Sequence, residues 1–400
     1  MDIKIHRSAE QKNEIIEIFT SQTKILLDSG VNLEENEVLK LTELQDQYNF
    51  SDVNAVFLSH YSTDHVTMTR GLLENVPVYG GKLASRIAVA AEKYKAKKPF
   101  EFAGFYASGA SIMVGDIKVT PYLVDDAMFD GYLLFIEGEG KSILYTGDYR
   151  ANGRKGFEEM LVNLPRKVDV LLCERGVIAK EDVSLVTERD IEEKAAQLFG
   201  SKKGPVFILQ SVTDFDRAAT MFHAAKRNKR VFLEDLYMSQ LSGAAGKAMP
   251  NPAGWAGVRA YLTTGYKEEH FRYKMFTELP RLSKAEIGEQ KFAMCIRTSM
   301  RKYLKTLSQI MKFKDGIMIN TLPEDSWKSP ETQEFLAFAA GKGLETVTLR
   351  NSGHADAMAL KALVNAVNPS KILPLAAQNV KWMANEYPQI PIVAVDTVKC

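Results

Sequence analysis

Cysteine and histidine are both scarce in this chain. Three cysteines among 400 residues, Cys173, Cys295 and Cys400, lie far apart, are odd in number and form no CxxC pair. That excludes a disulfide framework and a zinc knuckle, and it suits a reducing compartment, the cytoplasm. Six histidines, His6, His60, His65, His223, His270 and His354, are all that an imidazole-based metal centre can draw on. No stretch approaches the roughly 18 uninterrupted apolar residues of a spanning helix, and the opening MDIKIHRSAEQKNEII holds no apolar targeting core, so neither membrane nor leader is expected. An excess of one charge is missing too. With 51 Lys plus Arg against 50 Asp plus Glu, no whole-chain electrostatic footprint marks nucleic acid or lipid as partner. Internal repeats of fixed period and low-complexity tracts are absent as well.

What is present is globular material, 46% hydrophobic and 25% charged, enough for two or three cores. Short apolar runs dominate up to about residue 175: KILLDSG, AVFLSH, VPVYGG, IKVTPYLV, GYLLFIEG, KSILYTGD and VDVLLCERG. They are too short for helices and read as strands, with GEGK at 138 to 141 as a hairpin turn. From about 181 the pattern changes to helix and strand in alternation, which predicts a parallel sheet with crossover helices. GAAGKAMPNPAGWAG at 243 to 257 reads as an irregular connection. The predicted architecture is a discontinuous domain over 1 to 180 and 345 to 400, interrupted by an insert over 181 to 344. Residues 259 to 314 carry 13 basic against 5 acidic side chains, a field suited to phosphates or simply a solvated face.

Candidate chemistry gathers at predicted strand ends, where α/β sheets place ligands. His60, Asp64 and His65 follow the strand AVFLS and combine imidazole nitrogens with a hard oxygen, a mixture that zinc or a similar divalent ion accepts. A histidine pair hydrogen-bonded to an aspartate in a turn would read the same way. Asp125 and Asp126 end LVDDAMFD, and Asp148 ends ILYTGD, where a carboxylate could bridge metals. Glu174 and His354 end two more runs, and Ser352 and Gly353 offer backbone donors suited to phosphate. Arg217 and Arg297, beside strand ends of the insert, suit phosphate contacts or ordinary salt bridges. His223 and His270 read as structural or solvated, and Cys173 as a packed thiol.

The order ILLDSG, SHYSTDH, VDDAMFD, ILYTGDYR, ERG and SGHAD resembles the metallo-β-lactamase fold, an αββα sandwich, with an inserted β-CASP α/β domain, nearest to ribonuclease J-like nucleases. The resemblance covers essentially the whole chain. It implies metal ligands at His60, Asp64, His65, Asp126 and Asp148, with Asp64, Glu174 and His354 in catalytic roles and Asp28 as a buried acid that orients a loop. It also marks departures. In the HxHxDH pattern the second histidine is Ser62, a further ligand histidine is Asp126, and the last is Ala376. Carboxylate for imidazole still coordinates and shifts preference toward harder ions such as manganese, whereas serine and alanine remove a ligand. The expectation is a metal-dependent phosphodiesterase acting on RNA or another nucleic acid through one zinc or manganese ion rather than two. The alternative is a relative that has lost metal and turnover and binds nucleic acid or acts as a scaffold. A homo-oligomer is compatible with either.

Overall fold

The computed structural model describes residues 1–7, 14–28, 52–61, 75–97, 101–173 and 186–400. The first part of the chain supplies strands β1 (Asp2–Arg7), β2 (Glu14–Phe19), β3 (Lys24–Leu27), β4 (Ala55–Phe57), β5 (Val78–Gly80), β6 (Gly104–Phe105), β7 (Ile112–Val114), β8 (Ile117–Val124), β9 (Gly131–Gly138), β10 (Lys141–Tyr145) and β11 (Val170–Cys173). The middle supplies β12 (Val206–Leu209), β13 (Val231–Asp235), β14 (Val258–Tyr261), β15 (Phe292–Ile296), β16 (Ile317–Asn320) and β17 (Glu345–Thr348), and the end returns with β18 (Lys371–Pro374) and β19 (Thr397–Lys399).

Two sheets face each other. One runs β19-β1-β2-β3-β4-β5-β6 and the other β18-β11-β10-β9-β8-β7. Alternation along the strands explains the pairing: Ile3, Ile5, Ile16, Ile18, Ile25 and Leu27 of the first sheet meet Ile117, Val119, Leu134, Ile136, Ile143 and Leu172 of the second in one buried cluster. Helices cover both outer faces. Lys82–Tyr94 packs on the first sheet through Ala84, Ile87, Ala88 and Ala91. Phe157–Asn163, Ala357–Val367 and Val380–Glu386 pack on the second. This is the αββα sandwich the sequence predicts.

The insert is a six-stranded sheet in the order β14-β13-β15-β12-β16-β17, parallel at every pairing. Its central strands VFIL and FAMCI are buried at every position, as both faces of a parallel sheet require. One cluster under the helices Glu188–Ser201 and Phe215–Arg227 fills one face, and another around Leu304, Leu307 and Phe335 fills the other.

Two expectations are corrected. Segment 345–348 was assigned to the returning sandwich domain, but it pairs in parallel with β16, so the insert's sheet extends through Thr348. Its alternating Thr and Val residues look the same from sequence in either sheet. The predicted strand at 230 to 237 ends at Asp235, whose carboxylate accepts from the backbone of Tyr237 and Met238 and so starts the helix Leu236–Ala244, which reaches the first two residues of the stretch read as irregular. Among the described residues, no helix is long and apolar enough to cross a membrane.

Candidate active site

Strands β3 and β4 run parallel, as do β10, β11 and β18, so their carboxyl ends deliver Asp28, His60, Asp148 and Ala376 to one edge of the sandwich. Asp28 is fully buried at a positive φ of 45°. It accepts from the Ser59 backbone at 2.8 Å, the Ser59 hydroxyl at 2.7 Å and the Tyr145 hydroxyl at 2.6 Å. The same Ser59 hydroxyl lies 3.0 Å from His60 Nδ1. A hydroxyl has one proton, and here the Asp28 carboxylate takes it, so His60 Nδ1 must donate to Ser59 Oγ. His60 is thereby held as the Nδ1–H tautomer, with the lone pair on Nε2. That nitrogen lies 3.9 Å from Asp148 Oδ2.

The loop that carries Asp148 is close-fitted to this arrangement. Gly147 takes a φ of 53°, and a Cβ there would lie 2.6 Å from Ser59 Cβ, so only glycine admits both the turn and the neighbour. On the far side of Asp148, His354 Nδ1 lies 3.9 Å from Oδ1. Asp148 is 21% exposed and His354 43%, whereas His60 is buried, which defines a solvent-facing side and an inner side of the carboxylate. Asp126 is buried as well. One of its oxygens accepts from Met128 N at 3.2 Å and the other has no hydrogen-bond partner among the described residues. Gly131 makes room for it: a Cβ there would lie 2.7 Å from the unpartnered oxygen.

Each predicted residue can now be placed. His60, Asp148 and His354 are brought together. Asp64, His65 and Glu174 lie outside the described residues, as does Ser62. Ala376, buried at the end of β18, offers no donor. The unprotonated His60 Nε2 and the Asp148 carboxylate are donor types that zinc or manganese would accept, and they stand 3.9 Å apart. Among the described residues no group of three His, Cys, Asp or Glu side chains is arranged to hold a metal.

The two arginine phosphate contacts are corrected. Arg217 is 1% exposed, and its guanidinium is committed to Glu188 at 2.8 and 3.2 Å, Leu349 O at 3.0 Å and Asn351 Oδ1 at 2.7 Å, so it has no face for a substrate. Arg297 is bound through both terminal nitrogens to Asp235 at 2.7 Å. The Ser352 hydroxyl gives its proton to His354 O at 2.7 Å and accepts from His354 N at 3.0 Å, which spends its donor on shaping the loop. Gly353 is exposed, with open space beside it.

Sequence reasoning missed the residues that join these loops. Arg150, two positions after Asp148, is buried and donates to Asp216 at 2.6 Å. Glu188 lies between Arg150 and Arg217; burial alone would raise its pKa, but the Arg217 guanidinium, the Thr220 hydroxyl and Arg150 pull it down to about 2. Asp125 accepts from Gly153 N at 2.8 Å and is pushed up to about 6 by burial, against the pull of Arg150. The available signal was the capping box at Thr187 and Asp190, which marks Glu188 as the first residue of a helix, and the arginine of GDYR.

A two-sheet sandwich interrupted by a parallel-sheet insert, with His60, Asp148 and His354 gathered at its strand ends, defines a metallo-β-lactamase fold carrying a β-CASP insertion. Within that class the likeness is to the ribonuclease J-like proteins. It is similar to ribonuclease J 2 of Streptococcus pyogenes serotype M3, 22% identical over 387 aligned residues that cover 90% of this chain. The chain spans 66% of the length of that relative. A crystal structure of a protein of unknown function from Enterococcus faecalis V583 shares the fold, with a TM-score of 0.79, 18% identity and 99% of each chain covered. No family model matches the sequence.

Proposed function

We propose that this protein is a phosphodiesterase that hydrolyses RNA or another nucleic acid, using one divalent ion, manganese or zinc, at the His60 and Asp148 end of the sandwich. The observation that carries this reading is the placement of Asp148 between an inward, tautomer-fixed histidine and an outward, solvent-facing one. His60 Nε2 and Asp148 hold the ion, with Asp126, Asp64 and His65 completing its ligands. The ion, when bound, supplies activation of water and neutralisation of phosphate charge. His354 stands on the open side of Asp148, where it can deliver a proton to the departing oxygen, with Glu174 orienting it. The backbone of Gly353 faces the open side and suits a phosphate oxygen.

Purified protein should cleave single-stranded RNA with manganese or zinc, and Asp148→Ala should lower kcat by at least about 100-fold. No cleavage with either ion would remove the hydrolase reading. A second reading is favoured by Ala376 and Ser62, where the family pattern has ligands: a metal-poor protein that only binds nucleic acid. It predicts RNA affinity that weakens steeply with salt and is indifferent to added metal.

A further inference from the structure

We infer that Glu188 is a positioning residue that sets His354 against Asp148, although it belongs to the insert and touches neither. Its carboxylate is fully buried and reaches both loops that form the site. Toward the Asp148 loop, Oε1 accepts from Arg150 Nη1 at 3.5 Å, and the Glu188 backbone N donates to Asn152 O at 2.9 Å. Toward the His354 loop it acts through Arg217, which it holds at 2.8 and 3.2 Å and which in turn donates to Leu349 O and Asn351 Oδ1. A direct tie closes the circuit: Asn152 Nδ2 donates to Ser352 O at 3.3 Å, and Ser352 shapes the backbone of His354. The Thr220 hydroxyl, at 2.6 Å from Oε2, completes the shell.

Glutamate is the residue this position needs. Two guanidinium groups are buried here at high desolvation cost: Arg150 has its closer partner in Asp216 at 2.6 Å, and the Glu188 carboxylate accepts from both, pairing with Arg217 at 2.8 Å and with Arg150 at 3.5 Å. Each guanidinium then anchors a different loop. Removing the carboxylate charge should release both loops together, so Asp148 and His354 lose their mutual placement while the outer surfaces stay unchanged. Misplacing reacting groups by about 1 Å costs on the order of 100-fold in rate.

The kinetic part rests on the hydrolase reading; the structural part does not. Glu188→Gln should keep its RNA KM within about threefold while kcat falls on the order of 100-fold, assayed well below its melting temperature. Independently of activity, hydrogen exchange should accelerate in peptides spanning 148–154 and 349–356 and stay unchanged across β8 and β9. Asn152→Ala, a milder change that spares the buried charges, should accelerate 349–356 alone. Arg227→Ala, which removes an exposed pair with Glu193, is the control and should alter neither. If the wild type cleaves no RNA, the hydrolase reading fails and hydrogen exchange alone decides the positioning role. Unchanged exchange in both loops in Glu188→Gln, or kcat within twofold of an active wild type, overturns it; should that variant not fold, unchanged exchange at 349–356 in Asn152→Ala does so.

Discussion

Ser59 shows how much of this site rests on a residue that ligates nothing. It donates its one proton in a hydrogen bond to Asp28, which leaves His60 Nδ1 to donate and Nε2 to carry the lone pair. Ser59→Ala should therefore lower affinity for manganese or zinc by about 10- to 100-fold, as loss of an orienting partner does elsewhere. Metal-competition titration measures it, and wild-type affinity would contradict the relay. Glu234 is the opposite kind of buried acid. One oxygen accepts from Ser242 at 2.7 Å and the other has no hydrogen-bond partner among the described residues, and burial raises its pKa to about 8. A folded pKa above the unfolded one means the native state binds the proton more tightly. Its stabilising contribution is then complete below the unfolded value of about 4.5 and is lost as pH rises toward 8. Glu234→Gln should match the wild type near pH 4.5 and be more stable by on the order of 3 kcal/mol at pH 8.5. Denaturant unfolding at the two pH values checks this, and a constant difference would contradict it. Glu188 has the reverse sign, its contribution present above about 4.5 and lost as pH falls toward 2.

At the scale of the element, legibility followed burial. Strands buried on both faces, such as VFIL and FAMCI, stand out as apolar runs, and IKVTPYLV and GYLLFIEG fall at their predicted ends. The pair β1 and β2 did not stand out, because DIKIHR and EIIEIF interleave buried isoleucines with charged residues: Ile3, Ile5, Ile16 and Ile18 enter one cluster, Ile15 another, and Glu17 and His6 are buried between them. Site residues next to strong strands were legible for the same reason: His60, Asp148 and Asp126 each follow an apolar run. The loop-joining residues were not, since Arg150, Asn152 and Glu188 meet only after the insert folds back. Gly147 belongs to this scale, as the turn that lets β10 present Asp148. Gly147→Ala should cost about 1–3 kcal/mol through its positive φ and the clash with Ser59, seen as a lowered Tm. An unchanged Tm would show that the turn can rearrange.

For the whole molecule, the described residues form the sandwich, the insert and the buried ionic joint, and the chain holds alanine at position 376, where the resemblance leads one to expect a histidine. If the missing imidazole is what limits the site to one ion, then Ala376→His should raise metal content above that of the wild type, measured by elemental analysis under the same loading. Equal content would mean that another departure, such as Ser62, sets the limit. The central claim itself is a single ion held between His60 and Asp148. Its most direct test is metal stoichiometry of the wild type and Asp148→Ala after loading with manganese or zinc and removal of excess. The account predicts close to one equivalent in the wild type and loss of it in the variant. Less than about a tenth of an equivalent in the wild type, or the same content in both, would contradict it.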